Sequence, residues 1–321
     1  MADTTDLPLV TIGLCCYNRE EGLKNALRYL TGQTYKNLEI IVSQDYHPEM
    51  DFTRIIESKN DERVKFYKQP ERLSMYRNFG FVLGKATGEY FMWASDDDWW
   101  APEFVEIIIS KMIDNPTAAA GHSNFYMVNE QQEKLVRFPD YFPFIKEFSV
   151  KEDIRRLKNY INQFEAFGKP NLIYSIFKTS AVKTKLVFDI LKDCELWGDM
   201  LVVMAVLTNG ELVVPAEVLR TATAENEKTY KLDPPETKRI NLGIAYLYWN
   251  RLKHLHKKWA RFIYLHFRVI NRSELSFKKK VFLYPTLIKK LFLFYYDLIT
   301  YNIRFRGYDF FSLIRRSHSL N

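Results

Sequence analysis

The sequence predicts an α/β fold, an open and mostly parallel sheet with helices on both faces. Three observations carry that expectation. Over the first 115 residues four apolar, β-rich runs alternate with segments of helical spacing; the runs are apolar along their length; and they end in polar residues. Strands covered on both faces by crossover helices read this way, and ligands of such sheets bind beyond the carboxyl ends of the strands.

PLVTIGLCC (8–16) stops at the turn-like YNRE and reads as a buried strand. In EEGLKNALRYLTGQ, Leu23, Ala26, Leu27 and Leu30 recur at helical intervals, and Gly32 is the stop. LEIIVSQD (38–45) is a second buried strand and RVKFYKQ (63–69) a third, weaker one. RLSMYRNFGFVLGKATGEY reads as a helix closing near Gly88, and EYFMWA as the fourth strand. APEFVEIIISKMIDN is a helix with Pro102 at an early position, where a missing N–H costs nothing. The polar residues after the strands, Tyr17 and Asn18, Asp45, and Asp96 to Asp98, then converge on one edge. From 117 the pattern loosens: strands are expected at AAAGHSNFYMV and NLIYSIF, a helix at WGDMLVVMAVLTNG and a short strand at ELVVPAEV. TAENEKTYKLDPPETKR (223–239) reads as a linker or surface loop.

With 321 residues, 47% of them hydrophobic, the chain is long enough for an α/β domain and an appendage. Cys15, Cys16 and Cys194 offer neither an even disulfide framework nor a C-x-x-C metal spacing, so a reducing, cytoplasmic setting is expected, with Cys15 and Cys16 as small buried hydrophobes. MADTTDLP lacks a basic signal-peptide region, and no stretch reaches the roughly 18 uncharged apolar residues of a spanning helix. A soluble chain, or one peripheral on a membrane, is expected. The net charge of +7 conceals a split: residues 241–321 hold 16 Lys/Arg against 3 Asp/Glu, and residues 1–240 hold 30 against 36. An acidic body carries a basic tail, which bears on partners. No nucleic-acid-binding module accompanies it, so nucleic acid is not an expected partner.

Asp96, Asp97 and Asp98 follow the fourth strand, in YFMWASDDDWWAPEF (90–104). Taken alone they have two readings: N-caps for the helix near Pro102, or hard oxygen ligands for Mg²⁺ or Mn²⁺ that would clamp a diphosphate.

IGLCCYNRE, GQTYKNLEIIVSQD, YRNFGFVLGKATGEY and ASDDDWWAPEF, in this order over residues 8–115, together resemble the family-2 inverting glycosyltransferases of the GT-A fold. The likeness is to an apolar strand ending in Y-N-(R/K), a Q-T-(Y/F)-x-N-L-E-I-I-V-x-D-D strand, an R-N-x-G…A-x-G-E-Y segment and a D-x-D-D…P metal signature. It becomes fainter toward residue 220. The resemblance implies a catalytic domain over 1–235, with a nucleotide-sugar-binding half at 8–115 and an acceptor half with the catalytic base at 116–235. A helical, basic region follows at 236–321. The resemblance also implies that Cys16, Tyr17, Asn18 and Arg19 line the donor site, with Tyr17 stacked on or beside the base and Asp45 hydrogen-bonded to its edge. Arg72, or Arg77 with Asn78, would reach the base, ribose or phosphates. Asp97 matches the metal ligand and Asp96 the residue near ribose and metal, with Asp98 as a candidate second ligand. Cys15–Cys16 stand where Pro-Thr is frequent, and Gln44 where the first paired aspartate is usual, which leaves the base identity open.

CELWGDMLVVMAVLTNGELVVP (194–215) puts Asp199 before an apolar helix. Spacing alone reads Asp199 as a cap. The resemblance implies the general base that takes the acceptor's hydroxyl proton, with Glu195 as the fallback. Trp99 and Trp100 are read as an acceptor platform or as core, and Glu195 and Trp197 as acceptor-side residues.

The expectation is a metal-dependent (Mn²⁺ or Mg²⁺) inverting transfer from a UDP- or dTDP-sugar to a hydroxyl of a glycan or lipid-linked acceptor, in cell-surface polysaccharide biosynthesis. The alternatives are a sugar-nucleotide nucleotidyltransferase, although CCYNREEG lacks the Gly-rich basic loop of that class, and a non-catalytic membrane-associated scaffold. In the tail, Lys289, Lys290 and Asp297 interrupt FKKKVFLYPTLIKKLFLFYYDLITYNIRFR, so this segment should lie in an interface and not cross it. Two readings of the tail stay open: a surface anchor on anionic lipid, on the inner face of the cell membrane, or an appendage packed on the catalytic domain or in an oligomer interface.

Overall fold

The computed structural model describes residues 7–129, 133–134, 140–163, 165, 168–194, 197–223 and 259–305, with side chains through 293. Strands β1 (Val10–Cys16), β2 (Leu38–Gln44), β3 (Val64–Lys68) and β4 (Tyr90–Ala94) lie parallel in the spatial order β3-β2-β1-β4. The crossovers are helices α1 (Glu20–Thr31), α2 (Thr53–Lys59) and α3 (Met75–Lys85). Successive side chains of a strand point to opposite faces, and these strands feed two cores. Ile12, Leu14, Ile40, Val42 and Met92 pack with α1 and with α4 (Phe104–Asp114). Ile41, Phe91 and Trp93 pack on the other face, against α3 and the apolar helix Gly198–Leu207. Burial on both faces is why these strands are apolar along their length.

Past β4 the sheet departs from the expected pattern. The AAAGHSNFYMV run is two strands in two sheets, β6 (Ala118–Gly121) and β7 (Asn124–Val128), separated at the buried His122 and Ser123. NLIYSIF divides into part of a 3₁₀ turn (Lys169–Tyr174) and strand β8 (Ile176–Lys178), which runs antiparallel to both β4 and β6. With β9 (Glu211–Val213) the large sheet has the order β3-β2-β1-β4-β8-β6-β9. A smaller sheet holds β5 (Trp99–Trp100), β10 (Val218–Thr223) and β7, in the order β5-β10-β7. Helices α5 (Phe142–Lys146), α6 (Asp153–Asn162), α7 (Thr179–Val182), α8 (Lys185–Asp193) and α9 (Gly198–Leu207) pack around this half.

The last two described elements are helices α10 (259–272) and α11 (Phe277–Phe305). Trp259, Phe262, Ile263, Val269, Ile270, Leu283 and Leu287 join the α3–α9 core, so one face of the basic tail packs on the α/β body. Lys290 is buried at the end of α6, 3.0 Å from the Gln163 carbonyl and 3.4 Å from the Glu165 carboxylate. Lys279 and Arg272 bind Asp153 and Asp189 at 2.6 and 2.8 Å. Among the described residues no helix is long and apolar enough to cross a membrane. The expected linker, past Thr223, lies outside the described residues.

Candidate active site

The ends of β1 and β2 bring three predicted donor-side residues together. The Arg72 guanidinium lies 3.7 Å over the Tyr17 ring, and its Nε donates to Asp45 Oδ2 at 3.1 Å. Asp45 is buried, and its Oδ1 accepts the backbone N–H groups of Leu73 at 2.7 Å and Tyr46 at 3.0 Å. The next residue, Ser74, has φ 72° and precedes α3, a conformation that a side chain pays for in strain of about 1–3 kcal/mol. A flat cationic-aromatic plate beside a carboxylate acceptor suits a heterocycle that stacks and donates an N–H.

Other residues from the same reading have different surroundings. Asn78 is buried, its Oδ1 accepts a hydrogen bond from the Ser43 hydroxyl at 2.6 Å and its amide donates to the Ser43 carbonyl at 3.2 Å, while Arg77 is exposed on α3. Cys16 is buried with its thiol on the Ser43 carbonyl, and burial pushes its pKa up. Asn18 is exposed. Gln44 is also buried: it donates to the Met50 carbonyl at 2.8 Å and accepts the Phe52 N–H at 3.0 Å, closing the loop 45–52. That is a structural reason for glutamine where an aspartate is usual, since a carboxylate can accept but not donate.

The aspartates do not cap α4. Its N-cap is Glu103, without a side-chain cap bond, and β5 lies between the triplet and the helix. Pro102 also lies before the cap; its carbonyl accepts the Thr34 N–H at 2.8 Å. Gly22 lets α1 approach, because a Cβ there would stand 2.2 Å from the Asp96 carbonyl oxygen. Arg19, just before α1, donates to Asp97 at 2.6 Å and to Asp96 at 3.3 Å. Burial raises the Asp96 carboxyl to about 6, against the pull of Arg19, and the Asp97 charge adds to the rise. Asp98 faces elsewhere. Its two oxygens take the Arg220 guanidinium and, at 3.2 Å, the Thr223 N–H, both on β10. Arg220 is fully buried, 3.2 Å from Asn171 Oδ1 and 4.6 Å over the Tyr174 ring. Among the described residues no three His, Cys, Asp or Glu side chains form a preformed metal cage.

Asp199 lies in the first turn of α9, inside the N-cap Trp197, whose φ is 60° and whose side chain makes no cap bond. It is half-buried, and the Tyr76 hydroxyl donates to its Oδ1 at 3.2 Å. Burial lifts its pKa to about 6; the Met200 N–H and the Tyr76 hydroxyl pull the other way. Tyr76 follows Leu73, whose N–H Asp45 holds, by one turn of chain, so the start of α3 joins the Asp45 cluster to Asp199. Burial raises the Tyr174 hydroxyl pKa, and the negative charges of Asp98, Asp97 and Asp199 raise it further against the pull of Arg220.

Among the acceptor-side residues, Trp100 is in the core, and Trp99 packs edge-on against Tyr29 of α1 with ring centroids 6.3 Å apart. Trp197 packs against Trp259 and Phe262 of α10, at 6.3 and 5.0 Å. Glu195 lies outside the described residues.

The family model for glycosyl transferase family 2 matches residues 11–174, just over half of the chain. The chain belongs to that family. Membership of this family sets the chain apart from the sugar-nucleotide nucleotidyltransferases that the sequence left as an alternative. A Haemophilus influenzae relative described as an uncharacterized glycosyltransferase is 30% identical over 126 residues, 39% of each chain, so the match spans about two fifths of that relative's length. S. aureus TarS 1–349, solved in complex with UDP-GlcNAc, superposes with a TM-score of 0.59 at 16% identity, over 89% of this chain and 73% of that one. A mannosyltransferase from Pyrobaculum calidifontis, in complex with GDP-Man and Mn²⁺, superposes with a TM-score of 0.50 at 17% identity, over 91% and 71%. Both likenesses are of fold, and the fold of this glycosyltransferase is GT-A.

Tyr76, Tyr174, Asn171 and Arg220 escaped the sequence reading. Tyr76 adjoins the quoted Arg77–Asn78 pair, and Arg220 is a single charge in the run VLRTAT. A basic residue in a β-rich run with no charged neighbour is the signal that could have marked it for burial with a partner.

Proposed function

We propose that this glycosyltransferase moves a sugar, with inversion, from a UDP- or dTDP-linked donor to a hydroxyl of a glycan or lipid-linked acceptor, in cell-surface polysaccharide assembly on the inner face of a membrane. The observation that carries the reading is Asp199: a half-buried carboxylate in the first turn of α9, with its pKa lifted to about 6 and the Tyr76 hydroxyl donating to it at 3.2 Å. A base with that pKa is ionised at neutral pH yet still basic enough to take a proton as the hydroxyl attacks.

On the donor side, Tyr17 and Arg72 stack on the base and Asp45 accepts its N–H. Among the described residues Asp97 and Asp96 both pair with Arg19, so this spot already accommodates positive charge. Two carboxylates without a complete cage fit a Mg²⁺ or Mn²⁺ that takes its remaining ligands from a diphosphate. Asp97 and Asp96 would hold such an ion, and it would supply positive charge against the charge that develops on the leaving diphosphate. Asp98, tied to Arg220, fixes the loop that carries those two carboxylates. Asp199 takes the acceptor proton, and Tyr76 holds the receiving carboxylate in place.

Asp199→Asn separates binding from chemistry. The variant should bind the donor nucleotide with wild-type affinity and lose at least about 10²-fold in turnover. Full turnover would remove Asp199 from the role.

A further inference from the structure

Among its described side chains, helix α11 packs mainly by one face, and Tyr284 also meets Phe267 of α10 with ring centroids 5.3 Å apart. Leu283, Thr286, Leu287 and Lys290 are buried against the body. Phe277, Val281, Ile288, Leu291 and Phe292 are 80, 43, 52, 37 and 74% exposed. At about 100° per residue these five fall in one stripe roughly 100° wide, opposite the buried face. Lys278 and Lys289 lie along one edge of that stripe and Lys280 along the other. Lys280 also donates to the Asn271 carbonyl at 2.9 Å, which leaves its charge unneutralised.

We propose that this stripe is a docking surface for an anionic lipid membrane, on which α11 lies in the plane of the interface. Charge selects the occupant. No Asp or Glu occurs between Glu274 and Asp297, so lysines border the apolar stripe without an acidic residue among them. A second copy docked by the same stripe across a two-fold axis would set lysines against lysines, whereas anionic headgroups neutralise them while the aromatic rings enter the acyl boundary.

The buried face of α11 connects toward the candidate site through α10, with Lys290 Nζ 6.0 Å from the Trp259 ring centroid. Trp259 and Phe262 of α10 pack on Trp197, two residues before Asp199. On the reading of Asp199 as base, a membrane under α11 presents a lipid-linked hydroxyl acceptor to the α9 end of the site. Docking itself needs no turnover and is tested apart from that reading.

The test is flotation of the full chain with phosphatidylglycerol–phosphatidylcholine vesicles and with phosphatidylcholine alone. Wild type should float with the anionic vesicles. Phe277→Ser with Phe292→Ser should weaken that binding on the order of 100-fold. Lys278→Ala with Lys289→Ala should weaken it about 30-fold and leave neutral-vesicle binding unchanged. All four side chains are exposed, so unfolding midpoints should match wild type. Wild type remaining in the lipid-free fraction overturns the proposal, as does equal flotation of the phenylalanine variant. A wild-type dimer that the same variant dissociates, with vesicles ignored, overturns it in favour of a second copy. UDP titration of each variant reads the donor site separately, so loss of flotation with intact nucleotide binding leaves the glycosyltransferase assignment untouched.

Discussion

Asp199→Asn should stabilise the enzyme at pH 7.5 while it removes turnover. Burial raises this carboxyl from 3.8 to about 6 in the folded chain. The unfolded chain therefore gives up its proton first as pH rises: the stability is full below the unfolded value and is lost as pH climbs through the folded one. A gap of roughly two pH units, at about 1.36 kcal/mol each, sets a ceiling near 3 kcal/mol for the cost of ionised Asp199 at pH 7.5. Solvent at the half-buried carboxylate lowers that to about 2 kcal/mol, and at pH 5.0 about half remains. Asparagine carries no charge to desolvate and keeps an oxygen for the Tyr76 hydroxyl, so the variant regains this energy. Urea unfolding of both proteins at pH 7.5 and 5.0 measures it, the expected gains being about 2 and about 1 kcal/mol. A variant less stable than wild type at pH 7.5, or a gain that does not shrink at pH 5.0, would refute the argument.

Tyr76→Phe removes a hydrogen bond that favours the charged form of Asp199, so the acid limb of kcat/KM should move up by about one pH unit, with activity still rising with pH; an unmoved limb in a pH–rate profile would contradict this. Arg220→Ala leaves the buried Asp98 charge unpaired and should cost about 3–5 kcal/mol in urea unfolding, most of it recovered when Asp98→Leu is combined with Arg220→Met. A loss under about 1 kcal/mol for Arg220→Ala would show that the pair does not hold the triplet loop.

The parallel half of the fold was legible because its signals are local. β1, β2 and β4 are buried on both faces and therefore apolar throughout, and α1 ends at Gly32 as its spacing indicates. Past residue 117 the strands are three to six residues long and their partners are distant in sequence. Nothing in AAAGHSNFYMV marks His122 as the point where the chain leaves one sheet for another. The two-residue strand β5 exists only because β10, some 120 residues later, pairs with it. The site divides the same way. Tyr17, Asp45 and the triplet stand at strand ends, where a parallel sheet collects its ligands. Tyr76–Asp199 and Arg220–Asp98 join residues 123 and 122 positions apart, and only the folded chain brings them into contact. Gln44 shows the converse: its position suggested the pocket, yet both ends of its side chain are committed to the loop 45–52.

Calorimetric titration of UDP, with and without Mn²⁺, into wild type and Asp97→Asn addresses the central claim most directly. Metal-dependent binding to wild type is expected, lost by at least about 10²-fold in the variant, because Asp97→Asn removes one of the two carboxylates proposed to hold the ion. UDP binding that is indifferent to Mn²⁺, or equally tight in Asp97→Asn, would contradict it.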